Sequence, residues 1–246
     1  MGVPAGGIIA AGNGALVTLV HWQDIMLGIA AAIALNGILC LYLVRFHRTV
    51  PPGQQQNPLA HIGEILRDPN TNIFSIANGL LNVGQTNFFG FLTLFLTEVA
   101  RASQPVAGFA MGLAQTASFF ARIYFGALSD KFVGRRVVLC NWICGTAAVF
   151  LAAMIWVTPG WGLWYALALV LVLGVTIASF APVGQAIAVE MVDPRLAASA
   201  VGYSMVGVHM GGMMGPVIFG YVVDTWGGYN NAWLVTAGLV AIGVGL

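Results

Sequence analysis

Charge is scarce in this chain. Of 246 residues, nine are Lys or Arg and eight are Asp or Glu, and no basic tract long enough to follow a nucleic-acid backbone occurs. A formal net charge of +1 gives no long-range field with which to gather a charged partner. Cysteine is scarce too, and Cys40, Cys140 and Cys144 all lie in apolar stretches without zinc-like spacing, where Cys packs as a small hydrophobe rather than as a metal or redox site. Serines and histidines are scattered without the flanking that an activated nucleophile needs, and a Gly-rich phosphate loop is lacking. No enzyme activity, metal or cofactor is expected.

What the chain has in abundance is apolar sequence: 59% hydrophobic residues, 32 glycines and a mean hydropathy of +0.88. Those values lie outside the range of a soluble domain. A predominantly apolar run of about 18 residues or more is the length needed to cross a bilayer as a helix. Such runs occur at about Gly2 to Val20, Ile25 to Val44, Ile73 to Thr97, Val106 to Leu128, Val137 to Thr158, Gly162 to Val189, Ala198 to Val223 and Ala232 to Leu246. The expected fold is an all-α membrane bundle of about eight spans embedded in a lipid bilayer.

Orientation follows from the basic residues, because loops rich in Lys and Arg stay on the cytoplasmic side. Arg45, Arg48, Arg67, Lys131, Arg135, Arg136 and Arg195 fall in alternate loops, while the opposite loops hold only Arg101. Both ends of the chain are therefore expected to be cytoplasmic, in a multi-pass protein of the plasma (cell inner) membrane. The longest polar stretch, Arg45 to Asn72, contains "PPGQQQNP", a linker, and "LAHIGEILRD", which suits a short amphipathic helix on the membrane surface. It divides the chain into residues 1–44 with two spans, a linker over 45–72, and residues 73–246 with six.

The densest charge lies in "GALSDKFVGRRVVL", where Gly126, Asp130, Lys131, Gly134, Arg135 and Arg136 sit between two spans. A glycine, a small-residue turn, Asp, a basic residue and then Gly-Arg-Arg resemble the cytoplasmic loop signature of the major facilitator superfamily, whose members have two six-span halves joined by a long linker. "VEMVDPRLAASAVGY" and "GGMMGPVIFGYVVDTWGGYNNAW" resemble the loop before helix 11 and the passage from helix 11 into helix 12. The resemblance covers nearly the whole chain, and it implies that residues 73–246 are helices 7 to 12 while 1–44 corresponds to helices 5 and 6, with N-terminal helices 1 to 4 missing. One departure is present: Lys131, Phe132 and Val133 separate Asp130 from Gly134, where the usual signature has two residues.

The resemblance implies a conformational latch in this loop. Asp130 is expected to accept hydrogen bonds from an arginine and from the start of helix 11, with Arg135 or Arg136 and Glu190 or Arg195 in the same network. Lys131, Arg135 and Arg136 can equally serve only as topology anchors. Arg122, inside a span, is a functional candidate by cost alone, as an anion receptor or as a residue snorkelling towards the loop. Asn78, Asn82 and Gln85 recur at helical spacing, suiting either a wet cavity or interhelical hydrogen bonds. His209 in "VHMGGMMGP" can carry a proton or simply pack. Gly207, Gly211 and Gly215 follow the spacing that lets helices approach closely.

Together these features point to a secondary transporter moving a small solute by alternating access, driven by a proton or a solute gradient, with an organic anion or carboxylate preferred. Sugar or drug-like solutes are the alternative, as is a truncated membrane component or sensor that does not transport.

Overall fold

The computed structural model describes residues 21–43, 62–159 and 162–246. The expected first span and the "PPGQQQNP" linker lie outside the described residues. Helix α1 spans Trp22–Leu43, α2 Ile62–Arg67, α3 Pro69–Glu98, α4 Gln104–Ser129, α5 Arg136–Ala153, α6 Gly162–Val175, α7 Ala181–Glu190, α8 Ala197–Thr225 and α9 Tyr229–Gly245. No strand occurs among the described residues. The fold is an all-α bundle.

Local chemistry explains where the helices begin. Asp68 caps α3, its carboxylate accepting from the amides of Asn70 at 3.4 Å and Thr71 at 3.0 Å, while Pro69 fills a first-turn position that needs no N–H. The Thr71 hydroxyl and amide hold the Asp68 carboxyl below its ordinary range. Gly134 turns the chain from α4 into α5 with φ of +77°, a conformation that other residues adopt only under strain.

Among the described residues, three helical stretches are long and apolar enough to cross a membrane by composition: Met26–Leu43, Arg136–Trp156 and Pro194–Thr225. At 30 and 26 residues, α3 and α4 have the length, but their sequences are diluted by amides and hydroxyls. Several of these turn inward: Asn78, Asn87, Gln115 and Ser118 are buried. The expected span Gly162 to Val189 is not one helix. It breaks at Thr176–Phe180 into α6 and the ten-residue α7. Pro182 is the local cause, since it lacks an N–H and its ring crowds the preceding turn. The Ser179 amide closes the short turn onto the Thr176 carbonyl at 2.9 Å.

The tightest packing joins α3 to α8. A Cβ on Gly211 would overlap the carbonyl oxygen of Gly79, one on Gly207 would overlap that of Ser75, and one on Gly215 would sit 2.9 Å from Thr86 Oγ1. The glycine stripe read from the sequence is thus a backbone-to-backbone contact. Beyond it lies an aromatic core, with Trp233 set edge-on to Phe95 at 5.5 Å and to Phe219 at 4.9 Å. Helix α1 contrasts with the rest, because none of its Met26–Leu43 stretch is buried.

Candidate functional site

The helix break sits against an arginine. Arg122, on α4, is half-buried and donates from Nε to the carbonyl oxygen of Ala178 at 2.8 Å, inside the interrupted segment. Ser118, one helical turn earlier on the same face, donates to that oxygen at 3.4 Å. An interrupted helix leaves carbonyls without intrahelical donors, and a guanidinium in a sparsely solvated interior needs acceptors. Each requirement meets the other here. Because Nε alone makes this bond, the terminal nitrogens of Arg122 are left for another partner.

Arg122 borders a cavity of about 140 Å³. From α3 it is lined by Asn78, Asn82 and Gln85, from α4 by Arg122, and from the start of α7 by Phe180, Ala181, Gly184 and Gln185. Ser204, Met205 and Val208 of α8 close the fourth side. Asn82 is partly committed, donating from Nδ2 to the Val208 carbonyl at 2.7 Å. Asn78 is 3% exposed and has no hydrogen-bond partner among the described residues. Ser204 is 1% exposed, and its hydroxyl is unpaired. A larger cavity of about 400 Å³ shares Asn78 as a wall but carries no charged side chain.

Four residues singled out from the sequence, Asn78, Asn82, Gln85 and Arg122, therefore share one recess. His209 is elsewhere: its ring is exposed, and Nδ1 lies 2.7 Å from the Met205 carbonyl of its own helix. Met205, one turn earlier on the same face, lines the recess, and His209 does not. Sequence reading missed Ser204 and Gln185. Ser204 was findable, since it precedes Gly207 and Gly211 at the spacing of one helix face, the face that meets α3.

At the opposite end of α7 lies a second constellation. The Arg136 side chain, 13% exposed, sets Nη2 3.3 Å from Asp130 Oδ1 and Nε 3.2 Å from Glu190 Oε1. The first is a hydrogen bond, whereas the second is an ion pair off the hydrogen-bond direction. Asp130 has its contact with Arg136, and the short turn leading into α8 is capped instead by Asp193, which accepts from the Arg195 amide at 3.0 Å. Arg195 also reaches Glu64 of α2 at 3.4 Å. Lys131 and Arg135 are exposed and have no ion-pair partner among the described residues. Gly126 packs near α7, where a Cβ would lie 3.9 Å from that of Pro182.

Comparison with known proteins bears on this arrangement. The model of the Major Facilitator Superfamily matches residues 1–171 and, in a second placement, 74–246. None of the curated proteins matches the chain. Among solved structures, the chain is similar to a bacterial homolog of the human lysosomal transporter Spinster, in an inward-facing and unoccupied conformation, with a TM-score of 0.59 and 17% identity. That likeness concerns the fold, and it covers 97% of this chain but 62% of the other, so the chain spans less than two thirds of its length. By the family match over both halves of its sequence, the chain belongs to the Major Facilitator Superfamily.

Proposed function

We propose that the chain is part of a secondary transporter that moves a small solute across the membrane by alternating access, and that the solute is an organic carboxylate. Membership of the superfamily supports transport in general. The observation that carries the carboxylate reading is Arg122, whose guanidinium is bound through Nε alone and borders a recess whose other polar side chains are amides and a hydroxyl. A planar fork of N–H donors in a poorly solvated recess suits a carboxylate better than any neutral solute. Neutral sugars and drug-like compounds are the competing solutes, and they leave that charge uncompensated.

The Asp130–Arg136–Glu190 network, where α4, α5 and α7 meet, is read as the latch, and that end is read as cytoplasmic from its basic residues. Rocking of the bundle against its other half would exchange these contacts for others. Proton coupling remains part of the reading, with the coupling group outside this recess, since Arg, Asn, Gln and Ser side chains do not titrate near neutral pH.

Uptake of labelled short-chain acids and sugars into proteoliposomes tests the proposal, with and without an imposed pH gradient. Saturable uptake of an acid that survives excess sugar is expected. Uptake of sugars alone would replace the carboxylate reading, and a chain that takes up neither would be a non-transporting membrane component.

A further inference from the structure

The threonines of this bundle return their hydroxyls to their own helices. Thr86, Thr116, Thr176, Thr225 and Thr236 each donate to the carbonyl four residues back, at 2.6 to 2.8 Å. That is the ordinary solution for a hydroxyl in an apolar helix. Ser204 departs from it, as Ser179 in the break does: buried to 1% exposure on α8, its hydroxyl has no hydrogen-bond partner among the described residues. A buried hydroxyl without a partner is costly, so a ligand group is the natural claimant.

Ser204 lines the same recess as Arg122, and the recess is small. About 140 Å³ is below the roughly 300 Å³ at which sites for drug-sized ligands begin. It holds one cation, free amides from Asn78 and Gln85, and a hydroxyl able both to donate and to accept. A simple aliphatic acid would satisfy Arg122 and leave Ser204 unpaired. We infer that the solute is a short hydroxycarboxylate, with its carboxylate on Arg122 and its hydroxyl on Ser204. This rests on the carboxylate reading and narrows it, because a site built to hydrogen-bond a hydroxyl rejects the analogue that lacks one.

Lactate and propionate differ by that hydroxyl and serve as the probes, in proteoliposomes of the full-length protein. The expected result is a preference for lactate over propionate of about tenfold or more. Ser204→Ala is expected to bring the two acids within about threefold of each other while propionate uptake persists, and Ser204→Thr, which keeps the hydroxyl, to retain part of the preference. If the wild-type protein takes up both acids equally, the hydroxyl reading is overturned while the carboxylate reading stands. Equal loss of both acids in Ser204→Ala also overturns it, since Ser204 would then serve the carboxylate itself. Uptake of neither acid by the wild-type protein sinks both readings. Should the alanine variant fail to reach the membrane, the wild-type ratio of lactate to propionate alone decides.

Discussion

The two ends of α7 are each held by an arginine, and the two arginines are held differently. At the break, Arg122 bonds a neutral carbonyl, and no carboxylate lines the recess beside it. At the far end, Arg136 lies between two carboxylates, one on the loop after α4 and one on the last residue of α7. The first arrangement leaves positive charge uncompensated, which favours an incoming anion. The second is neutralised by the protein itself. One short helix thus links an arginine with a neutral partner to an arginine with two charged ones.

Removing the charge at the first end is the sharpest way to separate them. Arg122→Gln is expected to lower carboxylate uptake by about a hundredfold, the scale of losing a charge-assisted contact in a dry site. Arg136→Gln is expected to leave apparent affinity within about threefold and to reduce turnover by about tenfold, because the lost contact differs between conformations rather than between ligands. Equal effects on affinity from the two variants would erase the distinction.

A substitution at neither end supplies the reference for packing. Gly211→Ala places a methyl group against the Gly79 carbonyl, and α3 carries the amides of the recess. The expected destabilisation is at the upper end of about 1–3 kcal/mol, because backbone rather than a flexible side chain must move. Thermal unfolding in detergent measures it. An unshifted midpoint would mean that the glycine stripe is not the tight contact the geometry describes.

That stripe was legible in the sequence, as were the amides of α3 and the charged loop, since each is a local pattern at helical or turn spacing. The break at Thr176–Phe180 was not, because its only local mark is Pro182, and proline often sits in an unbroken membrane helix, as Pro216 does in α8. Arg122's partner was hidden for a related reason: it is a backbone carbonyl 56 residues away, without side-chain identity to read. His209 drew notice as an ionisable group in a span, and the rotational setting of α8, fixed by glycines packing on α3, leaves its ring exposed in this chain and against its own helix's Met205 carbonyl. For Arg136 the sequence left anchor and latch open, and it is the burial of the side chain that puts it between its two carboxylates.

Within the second site the two pairs should differ from each other. Glu190 is 32% exposed and Asp130 75%, so the same guanidinium meets one partner partly shielded and the other in solvent. Double-mutant cycles on unfolding are expected to give about 1 kcal/mol or more for Arg136–Glu190 and well under 1 kcal/mol for Arg136–Asp130. Poor hydrogen-bond direction works against the first value, and burial works for it. A reversal of the ranking would show that direction outweighs burial here, and would move the weight of the latch to Asp130.

The smallest effect concerns the end of the bundle opposite the charged loop, where an uncharged donor does the holding. Tyr229 donates to Glu98 Oε2 at 3.0 Å and joins the start of α9 to the end of α3. Burial, then the hydrogen bond to Glu98 and the charges of Glu98 and Asp224, push the phenol up from 10.0 to about 12. A raised pKa means that the neutral phenol is favoured by folding, so its contribution is complete below about pH 10 and disappears as pH rises through 12. The melting midpoints of the wild-type protein and Tyr229→Phe should therefore differ by a constant amount from pH 7 to about 10. Above that the wild-type advantage should shrink, because an ionised phenol would face Glu98 while the phenylalanine cannot ionise. No difference between the two proteins at any pH would mean that the ring's packing against Phe95, at 5.7 Å, holds this end and that the hydroxyl contributes nothing.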